Sequence, residues 1–108
     1  MSHSLEHILF MKLKDLNESE FKELTDKIEE LKTLPGVLII SFGKNLCVDR
    51  SGGYNYGYRV LFEDPKDLDT YGPHPTHEEF KVILNKYRVD PPIVSDYLIP
   101  RVNKENCK

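Results

Sequence analysis

Long apolar runs are missing from this sequence. None exceeds four residues, VLII (37–40) among them, where a membrane-spanning helix needs roughly 20. The N-terminal MSHSLEHILFMKLK has no basic n-region, and Glu6 and His7 interrupt its apolar stretch, so no signal peptide is expected. Cysteine is scarce: Cys47 and Cys107 are the only two. Without a secretion signal they are expected to be free thiols in a reducing compartment, the cytoplasm. There is no basic patch either. The 15 Lys and Arg are interspersed with 18 Asp and Glu for a net charge of −3, which argues against a nucleic-acid partner. No G-x-G-x-x-G or P-loop spacing offers a phosphate cradle, and no internal repeat or low-complexity segment occurs.

What is present describes one soluble globular domain. The 108 residues are 31% charged and 39% hydrophobic, too short for two domains and too apolar for disorder. A single domain is expected over residues 1–100, followed by a flexible tail at 101–108. A domain of this size buries roughly two-thirds of its unfolded surface, which makes for a modest core. Pairing of two copies is a common way to enlarge one.

Periodicity assigns the elements. LEHILFMKL (5–13) alternates as a strand, with Leu5, His7, Leu9, Met11 and Leu13 on one face. Asn17 with Glu20 reads as a capping box, and Phe21, Leu24, Ile28 and Leu31 follow helical spacing up to a stop at Pro35-Gly36. VLIISFGKN (37–45) is a second strand, followed by a loop marked by Gly52-Gly53. YNYGYRVLFE (54–63) alternates strictly, Tyr54, Tyr56, Tyr58, Val60 and Phe62 against Asn55, Gly57, Arg59, Leu61 and Glu63. Asp64-Pro65 reads as an N-cap and first helical residue of a short helix through Tyr71. Thr76 and Glu79 read as a second capping box, opening a helix with Phe80, Ile83, Leu84 and Tyr87 inward. PPIVSDYLIP (91–100) is a proline-bracketed edge strand.

The order β-α-β-β-α-α-β predicts an α+β, ferredoxin-like sandwich: a four-stranded antiparallel sheet with its helices on one face. The uncovered face, semi-polar on the third strand, predicts a homodimer formed sheet to sheet. Parity then brings His7, Tyr56, Tyr58 and Asp96 toward the space between sheet and helices. That is where YGPHPTHEEF (71–80) enters.

With Thr76 as cap, His77 is the first residue of its helix, where the positive end of the helix dipole disfavours the imidazolium. A neutral imidazole serves as a general base when its other nitrogen is oriented. Asp96 is the candidate orienter, and Tyr71 the candidate donor to a substrate oxygen. Together they suit removal of a proton from the carbon beside a carbonyl, with His7 and His74 lining or orienting. The structural alternatives stay open. His74 also fits a turn residue, His77 a helix start tied to a strand through Asp96, and the tyrosines core residues with wet hydroxyls. No metal is expected, because H-x-x-H at 74–77 lacks the third ligand of a catalytic zinc site and has no thiolate nearby. No cofactor is implied.

HILFMKLKD, FGKN, GYNYGYRVLFED, YGPHPTHEEF and SDY, in this order and spacing over residues 5–98, together resemble the stress-responsive dimeric α/β-barrel family. That family includes olivetolic acid cyclase-like polyketide cyclases. The resemblance implies a dimer whose sheets close into a barrel. It also implies a catalytic pair matching Tyr71 and His77, a pocket histidine matching His7 and a carboxylate matching Asp96. Where the cyclase motif reads G-Y-T-H this chain has GYNY, so Tyr56 replaces a histidine, and the aromatic pair of the cyclase pocket falls at Leu24 and Thr25. The pocket is then expected to be lined by His7, Leu9, Tyr56, Tyr58, Val60 and Val94 from the sheet. Leu24 and Ile28 would line it from the first helix, and His74 from the corner. Its ligand is expected to be a small, mostly apolar molecule bearing a carbonyl or phenol. Three functions follow: a small-molecule-binding stress protein, a cofactor-independent cyclase, lyase or isomerase, or a structural stress protein whose pocket its own side chains fill.

Overall fold

Strand and helix signals in the sequence resolve into seven elements. The computed structural model describes residues 3–106; Cys107, one of the two expected free thiols, lies outside them. Strand β1 (His3–Leu13) leads into helix α1 (Glu18–Leu31) and strand β2 (Val37–Lys44). A 3₁₀ turn at Val48–Ser51 precedes β3 (Tyr56–Phe62), helices α2 (Asp67–Tyr71) and α3 (Pro75–Tyr87), and β4 (Arg88–Pro100). The four strands form one antiparallel sheet in the order β2-β3-β1-β4. The helices lie on one face, giving a ferredoxin-like α+β fold. Cys47 is an exposed free thiol.

The two long helices each begin where a side chain satisfies one of the first unpaired N–H groups. Asn17 accepts from the Glu20 N–H at 2.9 Å, and the Glu20 carboxylate accepts from the Asn17 N–H at 3.0 Å, so the expected capping box forms. α1 ends earlier than Pro35-Gly36. Its last turn tightens through Thr33 N–H to Glu30 O and Leu34 N–H to Leu31 O, and Pro35-Gly36 instead makes the bend into β2. The start of α2 is also corrected. Asp64 accepts from the Lys66 N–H at 2.9 Å as a turn ahead of the helix, and Asp67 opens the helix itself.

The start of α3 moves by two residues. Pro75 is its first residue, and its cap is His74, whose Nδ1 accepts from the Thr76 N–H at 3.1 Å. The proline explains the shift. It keeps His74 extended (φ −61°, ψ 137°), the conformation a cap requires, while its own ring is preset for a first helical turn. Thr76 and Glu79 therefore form no capping box, and His77 is the third helical residue rather than the first.

Alternation builds the core. Leu5, Leu9, Met11 and Leu13 of β1 and Tyr56, Tyr58, Val60 and Phe62 of β3 are buried on the helix side. Leu24, Ile28 and Leu31 of α1 meet them from above, with Phe80, Ile83, Leu84 and Tyr87 of α3. Ion pairs stitch the two long helices together, Lys27 to Glu79 at 2.7 Å and Lys86 to Glu23 at 3.0 Å. Tyr87 also donates to Glu23. On the opposite face, Glu6 takes both ends of the Arg59 guanidinium at 2.8 Å. Ile8, Phe10, Ser41, Gly57, Arg59 and Ile93 line an open groove of ≈ 780 Å³ there. Beyond β4, in the segment expected to be a tail, Arg101 pairs with Glu63 and Asp64, and the Val102 N–H donates to Ser4 Oγ.

β4 is longer than its apolar stretch suggests, starting at Arg88 directly after α3. Pairing of Leu13 with Arg88 and Lys12 with Asp90 recruits its first residues, and an irregular register spans the gap to Phe10 and Ile93. Pro91 and Pro92 are tolerated because an edge strand leaves half its N–H groups unpaired.

Gly36 has φ +80°, and a Cβ there would lie 2.0 Å from the Asp67 carboxyl carbon. Asp67 in turn accepts from the Asp64 N–H at 3.0 Å. Gly36→Ala is expected to lower stability by about 2 kcal/mol, through the left-handed strain and the displaced carboxylate. A urea midpoint equal to that of the wild type would contradict this.

Candidate functional site

Register on β1 sets the site. His7 lies opposite Val60 of β3 on one side and opposite Asp96 of β4 on the other. Its imidazole therefore rises on the helix side, next to a carboxylate on the edge strand. His7 Nδ1 and Asp96 Oδ1 are 2.5 Å apart. Asp96 orients His7, not His77 as the sequence reading expected. The two-residue period of the strands places Asp96 directly across from His7.

His77 takes its orientation from the backbone. Its Nδ1 is 2.9 Å from the carbonyl oxygen of Gly72. A carbonyl only accepts, so Nδ1 carries the proton of the neutral ring and Nε2 keeps a lone pair. Burial is the largest cause holding this imidazole below its ordinary pKa. The Gly72 carbonyl opposes the shift, while Lys81 and His7 add to it. The sequence reading expected a neutral ring from a different cause. Desolvation, not a position at the first helical residue, favours the neutral ring.

Tyr71, the last residue of α2, sits between the two imidazoles. Its ring centroid is 4.4 Å from that of His77 and 6.1 Å from that of His7, and Phe62 meets it edge to face at 5.0 Å. Its hydroxyl lies 2.6 Å from that of Tyr58. Burial pushes the Tyr71 phenol up to about 12, partly offset by the Tyr58 hydroxyl, and pushes Tyr58 well above its ordinary value. Both are protonated across the physiological range.

The structure thus brings together Tyr71, His77, His7, Asp96 and Tyr58. It places His74 at the cap of α3. Leu9, Leu24, Ile28, Tyr56 and Val60 lie in the packed core; Leu24 and Val60 have 0% exposure, so neither faces any space open to water. Tyr56 stacks on Phe42 with ring centroids 5.2 Å apart. Val94 is half-exposed on β4 opposite Leu9, and Leu98, on the same face opposite Leu5, is equally open. Val94 and Leu98 form an apolar shelf on either side of Asp96. Sequence reasoning missed Gly72, which acts only through its carbonyl and so leaves no side-chain signal. It also gave Phe62 no part in the site, although strand parity already put that ring on the correct face. Among the described residues no three His, Cys, Asp or Glu side chains are grouped to hold a metal ion.

The family model described as the Stress responsive A/B Barrel Domain matches residues 5–98. No curated protein matches the chain. Among solved structures, a dimeric ferredoxin-like protein of unknown function from Jannaschia sp. CCS1 is 26% identical, with a TM-score of 0.74 over 87% of this chain and 97% of that one. The hydroxynitrile lyase of Passiflora edulis is 20% identical, with a TM-score of 0.76 over 93% and 96%. A protein of the same domain family from Mesorhizobium loti is 21% identical, with a TM-score of 0.74 over 91% and 97%.

The lowered His77 value fixes a sign. A base that protonates less readily when folded contributes its stability above the unfolded value of about 6.5, and that contribution is lost as pH falls through the folded value. In an NMR titration the His77 ring protons are expected to show a midpoint below 6.5. A midpoint at or above that value would contradict the desolvated, carbonyl-oriented ring.

Proposed function

Since the chain belongs to the Stress responsive A/B Barrel Domain family, we propose that it is a homodimeric small-molecule-binding protein. Its ligand would sit where α2 meets α3, against Tyr71, His77 and the His7–Asp96 pair. The observation that carries this reading is the placement of His77: its Nδ1 is held by the Gly72 carbonyl at 2.9 Å, which leaves Nε2 as the acceptor, and its ring centroid lies 4.4 Å from that of Tyr71. The exposed Val94 and Leu98 shelf supports a small, mostly apolar ligand presenting a carbonyl or phenol oxygen. Tyr71 itself is 2% exposed, so contact with its hydroxyl requires a local opening of the α2–α3 corner.

The free Nε2 also favours a second reading, a cyclase of the polyketide type, a lyase or an isomerase. His77 Nε2 takes a proton from the carbon beside a carbonyl; the C–H bond breaks as N–H forms. The Tyr71 hydroxyl donates to the carbonyl oxygen as negative charge develops on it. A lyase from Passiflora edulis is built on the same fold, so the scaffold is compatible with such chemistry.

Self-association is supported by the dimeric neighbours and by apolar side chains left open on both faces of β4. Ile93, Val94, Tyr97 and Leu98 are each at least half-exposed there. Phe10 and Ile93 on the helix-free face favour sheet-to-sheet pairing.

For the enzymatic reading, β-polyketide and lactone substrates are screened with wild type and His77→Ala. Loss of the base is expected to slow turnover roughly 100- to 10,000-fold. The acid limb of the rate profile should lie below 6.5, because the active form is the deprotonated one. Equal turnover by both proteins would remove His77 from the mechanism. For the assembly, light scattering at micromolar concentration is expected to give twice the chain mass, shifting toward the monomer in Phe10→Lys. A strict wild-type monomer would end the dimer reading.

A further inference from the structure

The hydroxyl pair behind the two imidazoles has an unspent proton. Each phenol supplies one donor proton and two lone pairs, and the 2.6 Å contact between Tyr58 and Tyr71 uses one of the two protons. Neither hydroxyl has another hydrogen-bond partner among the described residues. Both residues are only 2% exposed, so bulk water does not take the second proton. Buried donors without acceptors are rare in folded proteins.

Position decides which hydroxyl holds it. Tyr58 lies on β3 in the interior of the sheet, its ring stacked on Phe80 with centroids 5.3 Å apart. Tyr71 lies between His77 and His7. When Tyr58 donates, the remaining proton is that of Tyr71, on the side of the imidazoles. When Tyr71 donates, it is stranded on Tyr58 against apolar rings. The first arrangement leaves the proton on the side of the proposed ligand site, which a local opening of the α2–α3 corner would expose.

We infer that Tyr58 is a positioning residue: its hydroxyl donates to the Tyr71 oxygen and turns the Tyr71 proton toward the ligand, which selects phenols and enols acidic enough to bind as oxyanions. This rests on the ligand site proposed above. On binding, the O–H bond of the ligand breaks and an N–H bond forms at His77 Nε2. The ligand oxyanion then accepts from Tyr71. A hydrogen bond to an ionised oxygen is shorter and stronger than a neutral one, and the chain Tyr58 to Tyr71 to ligand strengthens each link in turn. A neutral carbonyl gains less from the same two hydroxyls.

The test uses p-cresol, phenol and 4-nitrophenol, in order of rising acidity, titrated calorimetrically at neutral pH into wild type and Tyr58→Phe. Wild-type affinity is expected to rise along the series. Tyr58→Phe, which removes one oxygen and keeps the ring, should weaken 4-nitrophenol about tenfold and p-cresol much less, flattening the trend. Equal affinities and an equal trend in both proteins would overturn the role of Tyr58 and leave the ligand site standing. If wild type binds none of the three phenols, the ligand site falls, and the role of Tyr58 with it. A second measurement needs no variant. With ¹³Cζ-labelled tyrosine in the wild type, 4-nitrophenol should move the signals of both Tyr71 and Tyr58. Movement of Tyr71 alone would overturn the relay.

Discussion

The register of β1 between its two neighbours is the constraint on which the rest of this structure depends. Side chains of a strand alternate between faces, so a slip of one residue against β3 or β4 would turn every buried group outward. Leu5, Leu9, Met11 and Leu13 fill the helix side in the same register that sets His7 opposite both Val60 and Asp96. The same register sends Glu6 to the opposite face, where it meets the Arg59 guanidinium. Hydrophobic burial holds the register, and the polar pairs on both faces follow from it.

Three histidines near the site show how little a residue type says without its second partner. His74 accepts a backbone N–H and caps a helix. His77 gives its Nδ1 proton to a backbone carbonyl and is left with a basic nitrogen in a desolvated place. His7 shares its Nδ1 with a carboxylate on the edge strand. The imidazole is the same in all three. What differs is whether the neighbouring group is a backbone N–H, a backbone carbonyl or a carboxylate, and that alone sets which ring nitrogen is engaged and how.

The site is also economical in its use of the core. Tyr58, Phe62, Tyr71 and Phe80 are core residues by burial, yet their rings and hydroxyls also surround the two imidazoles of the candidate site. A phenol serves both purposes because its ring packs like any apolar group while its oxygen keeps directional bonding. The packing that stabilises the domain therefore also fixes the geometry of the site to within the precision of a closely packed interior.

Much of the fold was legible in the chain because its signals are local. Alternation in YNYGYRVLFE named the buried face of β3, and Asn17 with Glu20 named the start of α1; both depend on residues a few positions apart. The start of α3 was misread for the same reason. A T-x-x-E pattern is local too, but the proline at 75 and the unusual choice of imidazole as a cap outweighed it. The face shared by the strand residues of the candidate site was visible in parity, whereas their bonding was not. Alternation says that His7, Tyr56, Tyr58 and Asp96 share a side, but not which oxygen lies within hydrogen-bonding reach of which nitrogen. The sequence by itself determined the element order, the faces and the residue types available to the site. Only the tertiary structure decided that Asp96 serves His7, that a glycine carbonyl serves His77, and that Tyr58 and Tyr71 meet. Those contacts join residues up to 89 positions apart, and hydrogen bonding is settled by tenths of an ångström that no spacing along a chain encodes.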